Sequence, residues 1–170
     1  SDGSFLYTLK KLDRKLETAK SNHRIKYIAG RLETSGSEFF DEYHSCEAEL
    51  ENQPLMNMSL VTDNFLRSFD YKSIKNKRTK NYQNLYRQLQ KINELELPIV
   101  KGAFAYPLKI RNGVEVRKKL QEKKIYIPTF WPGGLDVCSG NDLEYDYASN
   151  ILPLNCDQRY GTEEMEYLDE

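Results

Sequence analysis

Apolar residues in the first half of the chain recur at steps of three and four positions, which places them along one face of a helix. This spacing predicts a first helix from Leu9, Leu12, Leu16 and Ala19. Tyr27 and Ile28 continue the pattern, and Gly30 is the residue at which this helix is expected to end. The polar run 34–37, Thr-Ser-Gly-Ser, is typical of a break between helices.

The same periodicity predicts three more helices before residue 95. The second has apolar positions at Phe39, Phe40, Tyr43, Cys46 and Leu50, and Asn52-Gln-Pro54 closes it. Ser59 is expected to cap a short helix that runs through Phe69, because a serine side chain accepts backbone N–H groups at a helix start. Asp70 is expected to cap a longer helix that reaches about Ile92. Its apolar stripe consists of Ile74, Tyr82, Leu85, Leu89 and Ile92.

The pattern changes after Glu94-Leu-Glu-Leu-Pro98, where segments shorten and alternation with a period of two begins. Strands are predicted at 103–110, 125–130 and 151–155, and helices at 114–123 and near 142–149. Pro107 indicates an edge strand or a bulge, since proline cannot donate to a sheet ladder. The chain is therefore expected to have an α+β fold, with a helical segment 1–95 packed with a small α/β domain 96–170. That domain would hold three strands flanked by helices.

Composition and charge limit the classes of partner that the chain is expected to bind. The chain has 170 residues and a formal net charge of −1, so no strong field favours nucleic acid or an anionic membrane. The basic run 72–80 is interleaved with apolar residues at helical spacing and is typical of a solvated helix face. Three widely spaced cysteines form neither a zinc motif nor a disulfide framework, and no apolar run approaches the roughly 18 residues of a membrane span. These features predict a cytoplasmic protein.

The sequence lacks several motifs that are typical of nucleotide-binding proteins and hydrolases. No phosphate-binding loop, dinucleotide fingerprint or Gly-x-Ser-x-Gly elbow occurs. His23 and His44 stand alone without partners at metal-ligand spacing, so no metal site is expected. The glutamates of the second helix are spread around its circumference, which argues against a paired-carboxylate site. Candidate chemistry is therefore confined to the last third of the chain.

The order of motifs in that last third resembles the C-terminal part of DegT-like aminotransferases, a branch of the fold-type I pyridoxal phosphate enzymes. The motifs are Tyr106-Pro-Leu-Lys-Ile110, Val114-Glu-Val-Arg-Lys-Lys-Leu120, Ile125-Tyr-Ile-Pro-Thr-Phe-Trp-Pro132, Ile151-Leu-Pro-Leu-Asn-Cys-Asp-Gln-Arg-Tyr160 and Thr162-Glu-Glu-Met-Glu-Tyr167. Earlier segments also match loosely, among them Asp2-Gly-Ser-Phe5, Phe65–Tyr71 and Lys77–Leu85. The resemblance thus covers nearly the whole chain.

The resemblance implies the small domain that closes over the cofactor site of a larger enzyme. Such an enzyme moves an amino group from an amino-acid donor to a carbonyl acceptor, for example a nucleotide-linked keto-sugar, and works as a homodimer. In the family, the lysine that binds pyridoxal phosphate lies shortly before the segment that Asp2-Gly-Ser-Phe5 resembles. We therefore expect that lysine upstream of Ser1, expect both ends of the chain to be cut, and expect this chain alone to hold no cofactor and to be inactive.

The resemblance also nominates site residues. Phe130 and Trp131 end the segment that runs towards the active-site mouth in the family, where an aromatic wall would stack on a ring or sugar face. The alternative is that Trp131 caps the core. Arg159 and Tyr160 form a second candidate, because an arginine can bind a donor carboxylate through two parallel hydrogen bonds. The alternative for Arg159 is an ion pair with Asp157 in the same loop. Thr162 is expected to cap the last helix.

Two other functions remain open at this stage. One is a non-catalytic binding or scaffold domain with the same architecture, in which the Tyr-rich helices would bind a protein partner. The other is an enzyme relative that lost its lysine and uses pyridoxal phosphate differently, as some dehydratases of this family do. A lysine in serine-led context just before Ser1 would favour the aminotransferase, and its absence would favour the binding domain.

Overall fold

The computed structural model of the chain describes residues 4–167. Within that range the chain divides into two units, one reaching Phe69 and the other starting at Asp70. The domain boundary predicted near residue 95 lies inside the second unit. The Asp2-Gly3 part of the N-terminal motif lies outside the described residues. Within residues 4–167, no helix is both long enough and apolar enough to span a membrane.

The first unit contains three of the described helices. They are α1 (Asn22–Glu33), α2 (Phe40–Glu51) and α3 (Leu60–Ser68). The rings of Tyr27 on α1 and Tyr43 on α2 meet edge to face with centroids 5.8 Å apart. Ser59 caps α3 as expected, because its side chain accepts the Thr62 N–H at 3.2 Å. Local capping chemistry therefore located the start of α3.

The prediction of a helix through residues 9–19 is wrong. These residues are non-helical, Leu9 is fully exposed and Leu12 is 57% exposed. Instead the segment runs beside Asn57, with Ala19 N–H donating to Asn57 O at 2.9 Å and Asn57 N–H donating to Glu17 O at 2.8 Å. Short isolated helices are marginal in water, so an apolar stripe that packs on nothing does not stabilise one. Helix α1 starts later and passes through Gly30, where the Phe39 ring occupies the space that a Cβ would fill.

The second unit has the element order α4, β1, α5, α6, α7, β2, α8. Their bounds are α4 (Tyr71–Leu89), β1 (Ala105–Lys109), α5 (Gly113–Glu122), α6 (Gly134–Val137), α7 (Leu143–Asn150), β2 (Ile151–Asn155) and α8 (Thr162–Tyr167). Asp70 caps α4 as predicted by accepting the Ser73 N–H at 3.0 Å. The stripe of α4 is buried at Tyr82, Leu85 and Leu89, whereas Ile92 lies beyond the helix and is exposed. The fold class is α+β, as predicted.

The sheet is a single antiparallel pair in which Ala105 faces Asn155 and Lys109 faces Ile151. Pro107 and Pro153 lie directly opposite each other, a position that only edge strands tolerate. Asn93 covers the other side of β1: its amide donates to Pro107 O at 2.9 Å and accepts the Lys109 N–H at 3.0 Å. A side chain thus occupies the backbone groups that a further strand would use.

The third predicted strand, 125–130, is not a strand in the structure. The exposure of its side chains does alternate, since Ile127 is 8% exposed and Tyr126 is 73% exposed. Its backbone, however, does not pair with a strand of the sheet. Pro128 removes one donor. Upstream, Lys124 adopts a left-handed φ of 63°, with Ile125 N–H bonded to Leu120 O and Lys124 N–H bonded to Gln121 O. These two bonds form the Schellman end of α5.

The core of the second unit lies between α4, the sheet and α8. It consists of Tyr82, Leu85, Leu89, Tyr106, Leu108, Ile127, Leu152, Leu154, Cys156 and Met165. The Tyr82 and Tyr106 rings meet edge to face at 5.3 Å, and burial raises the pKa of both phenols. Residues 156–160 are held against α4 by Asn81, whose amide donates to the carbonyls of Asp157 at 2.8 Å and Tyr160 at 3.0 Å.

Candidate functional site

A cavity of about 370 Å³ lies between the turn after Phe130, helices α6 and α7, and the start of β2. Its size falls in the range of small-molecule sites in proteins. Its walls are mainly apolar and aromatic, and Glu144, an exposed residue of α7, is the charged residue among those that line it. The lining residues are Phe130, Trp131, Gly134, Cys138, Glu144, Tyr147, Ala148, Ile151 and Pro153.

A tight turn places Trp131 at one wall of this cavity. Gly134 N–H donates to Trp131 O at 2.9 Å and Leu135 N–H donates to Pro132 O at 3.0 Å, so the turn leads directly into α6. Pro132 suits the second position of such a turn because its ring fixes φ. Trp131 itself has φ of 51°, a left-handed conformation that costs a bulky residue about 1–3 kcal/mol. The surrounding turn therefore holds this side chain in a strained position at the cavity.

One face of α7 forms the opposite wall. Glu144, Tyr147, Ala148 and Ile151 are spaced i, i+3, i+4 and i+7, which puts them on the same side of the helix and its extension into β2. No loop intervenes, because β2 begins at the residue after α7 ends. The helix-to-strand junction therefore fixes this wall relative to the sheet.

The junction is anchored by two side chains. Arg117 on α5 donates to Ser149 O at 3.3 Å and to Ile151 O at 2.9 Å, so a cation caps the C-terminal end of α7. Burial lowers the pKa of this guanidinium, which remains charged. Asn150 accepts the Gly113 N–H at 3.1 Å and donates to Asp146 at 2.7 Å. Helix α5 thereby holds the end of the cavity-forming helix.

Three aromatic rings cluster around Phe130, which lines the cavity together with Trp131. Phe130 and Trp131 meet edge to face with centroids 5.8 Å apart, and Phe104 lies 6.1 Å from Phe130. The Trp131 side chain is 82% exposed and Phe104 is 71% exposed, so Trp131 does not cap the core. Exposed aromatic rings beside a cavity offer faces on which a ligand ring can stack.

Arg159 pairs with its loop neighbour Asp157. Its Nη2 lies 2.6 Å from Asp157 Oδ2 and its Nε lies 3.1 Å from the same oxygen. Burial raises the pKa of Asp157, but the hydrogen bonds from Arg159 outweigh it and hold the pKa below the usual value. The Arg159 side chain as a whole is 67% exposed. A donor carboxylate would therefore compete with Asp157 for this arginine.

Tyr160 lines a second cavity of about 320 Å³ between residues 124–127 and α8. Lys124, Tyr126, Glu164 and Tyr167 are among its other lining residues. The Gly161 N–H donates to Glu164 at 2.7 Å and lowers the pKa of that carboxyl, so α8 is capped one residue earlier than the predicted Thr162. The four predicted site residues are thus not brought together: Phe130 and Trp131 share one cavity, and Tyr160 lines another.

The described residues do not form a pyridoxal phosphate site around Lys109. Its side chain is 13% exposed, with Nζ 2.8 Å from Glu94 and 3.0 Å from Asp146. Hydrogen bonds to Glu94 and Asp146 raise its pKa, whereas a lysine that forms a Schiff base must lose its proton. The lining residues of the larger cavity include no lysine.

The thiols differ in their surroundings. Burial raises the pKa of Cys156 to about 11, and its Sγ lies 3.5 Å from Ala103 O, so this thiol is a core group. Cys138 is partly exposed and lines the larger cavity. Among residues 4–167, no group of three or more histidine, cysteine, aspartate or glutamate side chains could hold a metal ion.

Sequence reasoning missed the α7 wall. The segment near 142–149 was predicted as a short helix, but its residues were not assigned to a site. The signal is present in the spacing of Glu144, Tyr147, Ala148 and Ile151, which resembles an ordinary half-buried helix face. Only the position of that face opposite Trp131 distinguishes a cavity wall from a core-facing stripe.

We found no family model, curated protein or solved structure that matches this chain.

Proposed function

We propose that this chain is the C-terminal portion of a DegT-like pyridoxal phosphate-dependent aminotransferase, and that its second unit supplies one wall of the acceptor site. The observation that carries the proposal is the position of Phe130 and Trp131. The resemblance nominates them as substrate-facing aromatics, and they line a 370 Å³ cavity rather than the core. The cavity has the size and the aromatic walls that a small-molecule site requires.

The proposed roles divide between the two ends of the sheet. Phe130 and Trp131 would stack on the ring or sugar face of a carbonyl acceptor, and Tyr147 would complete that wall. Arg159 and Tyr160 would act at a distance from this cavity. Because Asp157 already binds Arg159, we assign this arginine to holding the 156–160 loop, with the donor carboxylate as a competing partner.

The cofactor belongs to the longer protein in this proposal. When bound, pyridoxal phosphate would supply the electron sink for amino-group transfer, and its lysine would lie upstream of Ser1. The second unit would then exclude water from the acceptor side and support a homodimer. The 170-residue chain alone would be inactive.

The second candidate is a non-catalytic binding domain. It is favoured by the completeness of the larger cavity within the second unit, because all its lining residues fall between Phe130 and Pro153. Such a cavity needs no cofactor and no second active-site segment to bind a ligand. In this case Phe130 and Trp131 keep the same role as ring-stacking walls, without any reaction following.

Absorbance with added pyridoxal phosphate separates the candidates. We expect the 170-residue chain to show no yellow band from lysine-bound cofactor, and the product of the full reading frame to show it. Borohydride trapping and peptide mapping should then locate the cofactor on a lysine upstream of Ser1. A trapped lysine within residues 4–167 would contradict the proposal, and a reading frame without an upstream lysine in serine-led context would leave the binding domain.

A further inference from the structure

The larger cavity combines aromatic walls with a carboxylate. Phe130, Trp131 and Tyr147 present ring surfaces, and Glu144 lies among the lining residues. The face of an aromatic ring carries partial negative charge and attracts a cation within about 6 Å. The negative charge of the lining residue Glu144 attracts the same kind of group. Both features select a ligand with positive charge.

The chain around the cavity is also acidic. Between Lys124 and Arg159 the sequence contains no lysine, arginine or histidine. Its acidic residues are Asp136, Asp142, Glu144, Asp146 and Asp157. Lys109 neutralises Asp146 at 3.0 Å, and Arg159 neutralises Asp157 at 2.6 Å. Among the described residues Asp136, Asp142 and Glu144 form no ion pair, and of these three Glu144 lines the cavity. The guanidinium of Arg117 lies on the far side of the wall, where it donates to the backbone carbonyl of Ile151 at 2.9 Å.

We propose that this cavity binds a small apolar or aromatic molecule that carries a positively charged amine, with its ring on Phe130 and Trp131 and its ammonium beside Glu144. The assignment depends only on the walls of the second unit; in the aminotransferase, the cationic ligand would be the amine that the carbonyl acceptor becomes. It goes beyond both candidate functions by specifying the charge of the ligand. A nucleotide diphosphate would be repelled by the negative charge of Glu144, so in the aminotransferase its phosphates would lie outside this cavity.

The strained backbone of Trp131 supports a ligand role. A left-handed φ at a tryptophan is retained only where the surrounding turn imposes it, and such positions concentrate at binding sites. If the side chain only filled space, burial would compensate for the strain, yet Trp131 is 82% exposed. The exposed ring is therefore available to a ligand at the cavity mouth.

Three probes of similar shape and different charge test the proposal on the 170-residue chain. They are 2-phenylethylammonium, neutral 2-phenylethanol and anionic 3-phenylpropanoate. Trp131 is the only tryptophan in the sequence, so intrinsic tryptophan fluorescence reports on this cavity alone. We expect the cation to bind about 5- to 10-fold more tightly than the alcohol, the anion to bind most weakly, and added salt to reduce these differences.

Matched variants locate the effect. Glu144→Gln keeps the shape of the side chain and should bring the affinity for the cation closer to that for the alcohol, with the remaining preference due to the aromatic rings. Glu122→Gln removes a charge from the exposed end of α5, away from the cavity, and should leave the cation preference intact. Trp131→Ala, followed by NMR titration, should weaken binding of the cation and the alcohol together, with the folded amide spectrum as its control.

The proposal is overturned if the three probes bind equally, if the anion binds best, or if no probe produces a saturable change. It is also overturned if Glu144→Gln retains the full preference for the cation. These results are independent of the pyridoxal phosphate experiment. If the product of the full reading frame did not bind pyridoxal phosphate through an upstream lysine, the aminotransferase proposal would be contradicted. The predicted charge selectivity of the cavity would be unaffected by that result.

Discussion

Asn150 joins three segments of the second unit at the point where α7 becomes β2. Its side chain accepts the Gly113 N–H and donates to Asp146, and its backbone carbonyl accepts the Ile110 N–H at 3.2 Å. Gly113 packs so closely that a Cβ there would lie 2.5 Å from Asn150 Cα and 2.7 Å from Asn150 O. At the scale of single residues, this backbone contact fixes where α5 begins relative to the cavity wall.

We expect Gly113→Ala to lower the free energy of unfolding by about 1–3 kcal/mol, because the added methyl group forces two backbones apart. Gly140→Ala is the matched control, since a Cβ at Gly140 would meet no atom within 4 Å. Urea denaturation of both variants measures the difference. Equal stability of the two variants would contradict the close approach of α5 to the α7–β2 junction.

Trp131 and Lys124 show how a single residue can carry backbone strain for different reasons. Both have positive φ, and each lines one of the two cavities. At Lys124 the strain has a local cause, because the Schellman end of α5 requires a left-handed residue there. At Trp131 the conformation belongs to the turn that presents the ring to the larger cavity.

At the scale of elements, Lys109 links β1 to two other segments of the second unit. Its ammonium binds Glu94, which precedes the strand, and Asp146 on α7. The Asn150 amide and then Lys109 lower the pKa of Asp146 below its usual 3.8. The partners of Lys109 in turn raise its own pKa above 10.5. The strand and the cavity-forming helix are therefore coupled through charge.

We expect Lys109→Met to lower the free energy of unfolding at pH 7 by about 1–2 kcal/mol, because two carboxylates lose their cation while the aliphatic stem is kept. A carboxyl whose pKa is lower in the folded than in the unfolded state stabilises the fold above the unfolded value. That contribution is lost as the pH falls through the folded pKa. The difference between wild type and variant should therefore shrink below about pH 4.

At alkaline pH, the contribution of Lys109 to stability changes in the opposite direction: it is lost as the pH rises. The raised pKa of Lys109 contributes stability below 10.5 that is lost as the pH rises through the folded value. Lys118→Met, on the exposed side of α5, is the control and should change stability little at any pH. Thermal unfolding between pH 3 and pH 11 measures the difference. A Lys109→Met effect that is constant from pH 3 to pH 7 would contradict the proposed coupling.

At the scale of the whole molecule, the two units differ in how much apolar surface they bury within themselves. Among residues 4–69, the buried apolar side chains are Ala19, Tyr27 and Cys46, whereas residues 70–167 contain the core between α4, the sheet and α8. Domains of about 60 residues are marginally stable even with a full core. The second unit is therefore the one expected to fold independently.

We expect residues 70–170, expressed alone, to unfold cooperatively and to give a dispersed amide NMR spectrum. Residues 1–69 serve as the comparison and should show little cooperative unfolding, because few of the apolar side chains described there are buried. Circular dichroism during heating measures both. Non-cooperative unfolding of residues 70–170 would contradict the division at Asp70, as would a fragment 1–69 of equal stability.

The agreement between sequence and structure follows the range of the interactions involved. Ser59 and Asp70 were predicted as caps because each bonds a backbone N–H three residues away, and the structure contains both bonds. The helix from Leu9 to Ala19 was wrong because its stability depended on a partner that the pattern does not specify. For residues 125–130 the alternation predicted which side chains are buried, but it did not show that Asn93 and the end of α5 prevent pairing.

The sequence by itself therefore determined the α+β class, the starts of α3 and α4 and the alternation of exposure at residues 125–130, since all three follow from contacts within a few residues. Tertiary structure alone decided which strands pair, and that Phe130 and Trp131 face Glu144 and Tyr147 across a cavity. Those side chains meet because Arg117 and Asn150 tie α5 to the α7–β2 junction, bringing together residues more than 30 positions apart. A local sequence pattern cannot predict a cavity wall, because a helix face becomes a wall only when another segment packs opposite it.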